Sequence, residues 1–228
     1  MRLFVALTPP PDVLDALDAF VAPHQGDWPD LRWVRRDLMH VTLAFLGEVD
    51  DAGLERLLPC LQEAAAGSTG LRLSLAGAGA FPANGTHARV LWTGLFGDRR
   101  GLARLAAATA AAGRRAGTPP DGRYRTFRPH LTLARSRRPV DVRPLLEPLA
   151  AFAGTPWTAG TVHLMRSHLP TRERPALEYE ELRSWPLPQS PDAQGPDAQG
   201  PDAQGPDAQS SGGGGAGRSA SGGPQGSP

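Results

Sequence analysis

A four-residue pattern that occurs twice constrains this chain more than any other feature: His40-Val41-Thr42-Leu43 and His130-Leu131-Thr132-Leu133. Each copy lies in a short apolar segment that reads as a β-strand, Met39–Leu46 and His130–Ala134. Side chains of a strand alternate between its two faces. His40 and Thr42 therefore share one face, and Val41 and Leu43 the other; His130 and Thr132 stand in the same relation to Leu131 and Leu133. Each strand can anchor in a core while showing an imidazole and a hydroxyl to a cleft. Two such strands side by side surround one small volume with two histidines and two threonines. The flanks differ, Met39 before one copy and Phe127-Arg128-Pro129 before the other, so each half supplies its own setting.

Elements of both kinds surround this pair. Arg2–Leu7 reads as a strand, ended by Pro9-Pro10-Pro11, and Asp12–Val21 has apolar residues at helical spacing. Leu31–Val34 reads as a strand, and Ala52–Ala66 as a helix with Leu54, Leu57, Leu58 and Leu61 on one side. Leu71–Ala80 alternates as a half-buried strand does, and Arg89–Leu95 follows a turn at Asn84-Gly85. Leu102–Ala116 is an Ala-rich helix closed by Gly117 and Pro119-Pro120. Val142–Phe152 is a helix interrupted by Pro144 and Pro148, and Thr161–Met165 and Leu177–Leu182 are the closing strands. Strands often follow one another directly, which favours α+β with antiparallel pairing over a doubly wound parallel sheet. No glycine-rich phosphate loop stands where a strand meets a helix.

The composition splits the chain in two. Residues 1–187 hold every aromatic residue and the single cysteine, Cys60. Residues 188–228 repeat Pro-Asp-Ala-Gln at 191–194, 196–199, 201–204 and 206–209, then run on in Gly, Ser and Pro. So little apolar surface cannot offset the entropy of ordering, and the repeat is too short for a solenoid unit. The expectation is one domain over 1–187 and a disordered tail over 188–228 with no catalytic role. The tail sets four aspartates against Arg218, so of a net charge of +1 the remainder carries +4. That is compatible with an anionic ligand and too weak to argue for one alone. All 24 basic residues are arginine, the side chain that holds phosphate through two parallel hydrogen bonds. One cysteine allows no internal disulfide or thiolate metal cluster. No signal peptide or membrane span is evident, so the reading is a cytoplasmic monomer that does not engage a membrane.

The paired histidines suit one chemistry well. A strained 2′,3′-cyclic phosphate needs only in-line attack by water, with one imidazole taking the water's proton and the other protonating the departing ribose oxygen. An unperturbed imidazole has a pKa of about 6.5, which fits both roles. Thr42 and Thr132 can hold the non-bridging oxygens as charge builds. Neither metal nor cofactor is required.

With these residues in view, the chain resembles the two-histidine phosphoesterase superfamily, and within it the bacterial RNA 2′,3′-cyclic phosphodiesterases, or 2′-5′ RNA ligase-like proteins. The likeness covers about residues 1–187. It rests on the opening Met1–Leu7, on Trp33-Val34 with His40–Gly47, and on Phe81, Val90-Leu91-Trp92 and Gly94. It rests also on Phe127 through Arg135, and on Ser167, Tyr179 and Trp185-Pro186-Leu187. The resemblance implies two pseudo-symmetric lobes, each an antiparallel sheet backed by helices, with a central active-site groove. It implies that His40 is the proton donor to the leaving 3′ oxygen, that His130 is the proton acceptor for water, and that the product is a 2′-phosphate. Thr42 and Thr132 would bind the phosphate, with Arg135 and then Arg128 as further contacts. The partners would be RNA with cyclic-phosphate ends or small cyclic nucleotides. Reversible 2′-5′ ligation, and nucleotide or RNA binding without catalysis, are the alternatives on the same fold.

Other residues carry less. His163 and His168 fall on opposite faces of a strand with no carboxylate near in sequence, which argues against a metal pair. His24 and His87 read as solvated. Arg135, Arg137 and Arg138 either guide an RNA strand or form a solvated edge. Trp33, Trp92 and Phe45 could stack on a base, but aromatics in strands are more often core. Cys60 reads as buried filler.

Overall fold

The computed structural model describes residues 1–120 and 127–189. The elements run β1 (Arg2–Leu7), α1 (Pro11–Gln25), β2 (Arg32–Trp33), a 3₁₀ turn (Arg36–Leu38), β3 (Val41–Glu48), α2 (Asp51–Ala66), β4 (Leu71–Phe81) and β5 (Ala88–Gly97). They continue with α3 (Arg99–Arg115), β6 (His130–Val140), α4 (Arg143–Ala150), β7 (Trp157–Ala159), β8 (Thr161–His168) and β9 (Glu178–Pro186). The strand order is β7-β4-β5-β6-β3-β1-β8-β9, with β2 beside β6. Every pairing among the described residues is antiparallel. The fold is α+β, as the run of neighbouring strands implies.

The order reads alike outward from its centre. β3 continues through β1, β8 and β9, and β6 through β5, β4 and β7. The halves exchange strands, since β4 and β8 each belong to the half opposite the one that precedes them in sequence. The seam is the Val41↔Leu131 pair, and both of these residues are fully buried. One continuous apolar core runs through both halves. Helix α1 buries Val13, Leu14, Leu17 and Val21 in it; the helical spacing singles out the first three and Phe20, which is half-buried against the core. Helices α2 and α3 pack on each other, α3 also against β3 and β4, and α4 against β4.

Helix ends explain several boundaries. Pro11 opens α1, where a missing N–H costs nothing. The Asp50 carboxylate accepts from the Gly53 N–H and caps α2; Asp98 does the same for α3 through Gly101. Asp98 thus starts α3 three residues before the apolar periodicity at Leu102. Two strands escape the sequence pattern. β7 is too short to show alternation, and β6 runs on to Val140 through Arg135, Arg137, Arg138 and Pro139. The expected disordered tail lies outside the described residues except for Pro188 and Gln189, and the Pro188 carbonyl accepts from the Gly70 N–H at 2.8 Å. No described helix is long and apolar enough to cross a membrane.

Candidate active site

The same irregularity occurs in both central strands. Between β1 and β3, Ala6 pairs with Thr42 but Val5 with Ala44; between β5 and β6, Trp92 pairs with Thr132 but Leu91 with Ala134. Leu43 and Leu133 are therefore the extra residues of two matching β-bulges. A bulge shifts the phase of alternation by one residue. Leu43 and Ala44 are both buried, and so are Leu133 and Ala134. The phase shift returns Arg135 to the face of His130 and Thr132, where uninterrupted alternation would have turned it away. There its Nη2 donates to Thr132 Oγ1 at 3.4 Å. Phe45 holds the corresponding place in β3, with the Arg2 guanidinium 4.8 Å from its ring.

Each imidazole is held in one orientation by a carbonyl two residues back. His40 Nδ1 lies 2.7 Å from the Leu38 oxygen, and His130 Nδ1 lies 2.7 Å from the Arg128 oxygen. A carbonyl only accepts, so Nδ1 carries the hydrogen in both rings and Nε2 is the atom free to exchange a proton. His40 Nε2 stands 3.0 Å from Thr42 Oγ1. With the ring neutral, the threonine donates; with it protonated, the ring donates.

Aromatic walls complete the support. The His40 ring packs on Phe4 at 4.8 Å and meets Tyr179 edge-on at 5.2 Å. The His130 ring meets Phe81 edge-on at 5.1 Å and lies 6.2 Å from Trp92. Trp92 can occupy its place because Gly79 has no side chain: a Cβ there would stand 2.2 Å from the indole. Both imidazoles are half-buried.

Burial and neighbouring charge favour the neutral rings. His40 is lowered from 6.5 to about 4, by desolvation first, then by the positive charge of Arg135 and by His130, against the raising effect of the Leu38 carbonyl. His130 is lowered by desolvation and by Arg135, opposed by the Arg128 carbonyl. Arg135 also lowers the Tyr179 hydroxyl, although burial leaves that group raised. One guanidinium thus acts on both imidazoles, and an anion bound beside it would reverse the effect.

Of the residues that the sequence marks, the seam register puts His40, Thr42, His130 and Thr132 on flanking positions of the Val41↔Leu131 pair, and Arg135 joins them. Arg128 enters through its carbonyl, while its exposed guanidinium forms no ion pair among the described residues. Sequence reasoning misses Phe4 and Gly79 as site residues. The signal for Gly79 is a glycine inside an otherwise alternating strand. His163 and His168 lack a carboxylate nearby in sequence, but the pairing of β8 with β9 supplies two: His163 Nδ1 lies 2.7 Å from Glu181, and His168 Nε2 2.8 Å from Glu180. His163 and Glu181 line a cavity of about 620 Å³ beside His40, with Phe4, Met165 and Tyr179. Trp33, Trp92 and Phe45 are half-buried, and Cys60 is half-buried with its thiol free.

An antiparallel α+β fold with paired His-x-Thr strands at its seam is the architecture of a phosphoesterase. The family model described as LigT like phosphoesterase matches residues 7–92 and 97–175, and the chain belongs to that family. The RNA 2′,3′-cyclic phosphodiesterase of Thermus thermophilus is 33% identical over 177 residues, 74% of this chain and 83% of its own length. That of Escherichia coli is 35% identical over 135 residues, 59% and 71% of the two chains. The matched part spans about half the length of other curated relatives, 54% for Aquifex aeolicus and 41% for Geobacillus stearothermophilus. Among solved structures, apo LigT of E. coli has a TM-score of 0.66 at 27% identity, covering 82% of this chain and 98% of that one. Its complex with 3′-AMP gives 0.64 at 27% identity over the same shares.

Proposed function

We propose that this protein hydrolyses RNA 2′,3′-cyclic phosphate ends to 2′-phosphomonoesters by general acid–base catalysis between His40 and His130. The observation that carries this is the matched orientation of the two imidazoles, each with Nδ1 fixed on a carbonyl and Nε2 left to move a proton. Water attacks phosphorus and gives its proton to His130 Nε2. The P–O3′ bond breaks, and His40 Nε2 protonates the departing oxygen. Thr42, Thr132 and Arg135 hold the non-bridging oxygens, with Arg128 as a more distant contact. His40 must be charged to donate; burial first and Arg135 second favour its neutral form, and the substrate's own negative charge works against both. The names of the relatives support an RNA end as substrate, and the E. coli LigT complex is a related fold that holds the nucleoside phosphate 3′-AMP.

The same reading makes the protein a cytoplasmic monomer that needs no cofactor, its folded domain ending near residue 187 and the repeat tail taking no part. Reversible 2′-5′ joining would use a ribose hydroxyl in place of water in the same groove, and a binding domain would do neither. The deciding assay gives purified protein a cyclic-phosphate-ended oligonucleotide in EDTA, with and without 5′-hydroxyl RNA. Chelator-insensitive release of a 2′-phosphate is expected. Loss of activity in chelator, or full activity in His40→Ala, ends the proposal; a joined product favours ligation.

A further inference from the structure

The Arg32↔Arg135 register pair sets two arginines directly opposite each other on neighbouring strands. Like charges so placed repel and weaken the pairing. Arg137 and Arg138 follow on the same strand, β6. Arg89 from β5 lies against it, its Nη1 donating to the Arg137 carbonyl at 2.8 Å. All five side chains are exposed, and none forms an ion pair among the described residues. Some exposed arginines elsewhere, Arg35, Arg115, Arg143 and Arg174, each sit on a carboxylate, and others such as Arg99 and Arg104 do not among the described residues; what sets this group apart is its place beside Arg135. At the far edge of the sheet the carboxylates of β9 are partnered, Glu178 by Arg174, Glu180 by Arg166 and His168, and Glu181 by His163.

We infer that Arg32, Arg89, Arg137 and Arg138 form a track for the RNA strand that leads away from the cyclic phosphate, an inference that rests on the proposed activity. The track meets the reaction centre at Arg135, which pairs in register with Arg32 and donates to Thr132. Uncompensated guanidinium groups next to a phosphate site favour a polyanion over a single anion. The phosphates of one strand relieve the repulsion that the register imposes. Guanidinium groups on phosphates carry no sequence information directly, so the track confers a preference for length rather than for base.

The test compares a 2′,3′-cyclic mononucleotide with a single-stranded oligoribonucleotide ending in the same nucleotide. It uses wild type, the double variant Arg137→Ala/Arg138→Ala, and Arg32→Ala, over a range of salt. For the oligonucleotide, KM is expected to rise several-fold in the variants. The salt dependence of its log KM should flatten by about 0.7 for each phosphate that is no longer neutralised. Mononucleotide constants are expected to stay at wild-type values, which also shows that the variants fold. Equal effects on both substrates, or none on the oligonucleotide, overturn the track. Wild type that turns over neither substrate refutes the proposed activity instead. The track is then judged by anisotropy with a labelled oligonucleotide, where equal binding by wild type and double variant overturns it.

Discussion

Val41 pairs with Leu131 across the seam between β3 and β6, and this contact fixes how the two His-x-Thr strands face each other. Both side chains are at 0% exposure. Leu131→Ala is expected to cost about 2–5 kcal/mol, the range for a large-to-small change in a packed core. Denaturant titration measures that cost. Because the seam sets the spacing of the imidazoles, kcat of the protein that remains folded should fall as well. An unchanged kcat would mean that the seam does not position them.

Gly79→Ala tests the aromatic support of His130. The new methyl would stand 2.2 Å from the Trp92 ring, so the indole must move, at a cost of about 1–3 kcal/mol. Turnover should drop, while Gly26→Ala, where nothing lies within 4 Å, leaves it alone. A crystal structure of Gly79→Ala with Trp92 in place would remove the explanation.

Stability should depend on pH through His40. Its folded-state value of about 4 lies below the unfolded 6.5, so the unfolded chain takes up the proton first as pH falls. The contribution is complete above pH 6.5 and is lost as pH falls towards 4, by an amount on the order of 3 kcal/mol. His40→Gln should flatten that part of the profile in urea titrations. A variant as pH-sensitive as wild type would show that the imbalance lies elsewhere.

The activity profile follows from the same directions. Both imidazoles are lowered in the free enzyme, so the alkaline limb of kcat/KM, which reports the free enzyme, is expected below pH 6.5. The corresponding limb of kcat should lie higher, since bound phosphate offsets Arg135. Arg135→Gln should raise the limb of kcat/KM and bring the two closer together.

Thr42→Val and Thr132→Val each remove one hydroxyl from the proposed phosphate site. Removing one such donor costs about 10²–10³ in kcat. Thr42→Val should also shift the pH profile, because Thr42 is the one of these two threonines that is hydrogen-bonded to an imidazole among the described residues. Equal profiles for the two variants would contradict that asymmetry.

Much of the fold is legible in residue order, because alternation is a strong signal in half-buried strands. The two His-x-Thr faces, the helical spacing of Leu54–Leu61 and the apolar side of α1 follow from periodicity alone. The bulges leave only a faint trace: Leu43-Ala44 and Leu133-Ala134 are consecutive apolar residues where alternation demands one. Resemblance marks Arg135, but simple counting from His130 puts it on the wrong face, and only the bulge explains its place. His40 reads from sequence as lying within a strand; it stands just before β3, after the 3₁₀ turn whose Leu38 carbonyl orients it. The extension of β6 is hidden by arginines that satisfy no apolar pattern. The partners of His163 and His168 come from a neighbouring strand, which spacing along one strand cannot show.

In the proposed mechanism the two imidazoles divide the work, His40 as acid and His130 as base. A cyclic substrate with sulfur in place of the 3′ oxygen needs no proton on its leaving group. On the natural substrate, His40→Ala and His130→Ala should each reduce the rate by about 10²–10⁴-fold. On the sulfur analogue, His40→Ala should recover most of that rate while His130→Ala stays impaired. Recovery by His130→Ala instead, or by neither variant, would contradict the account.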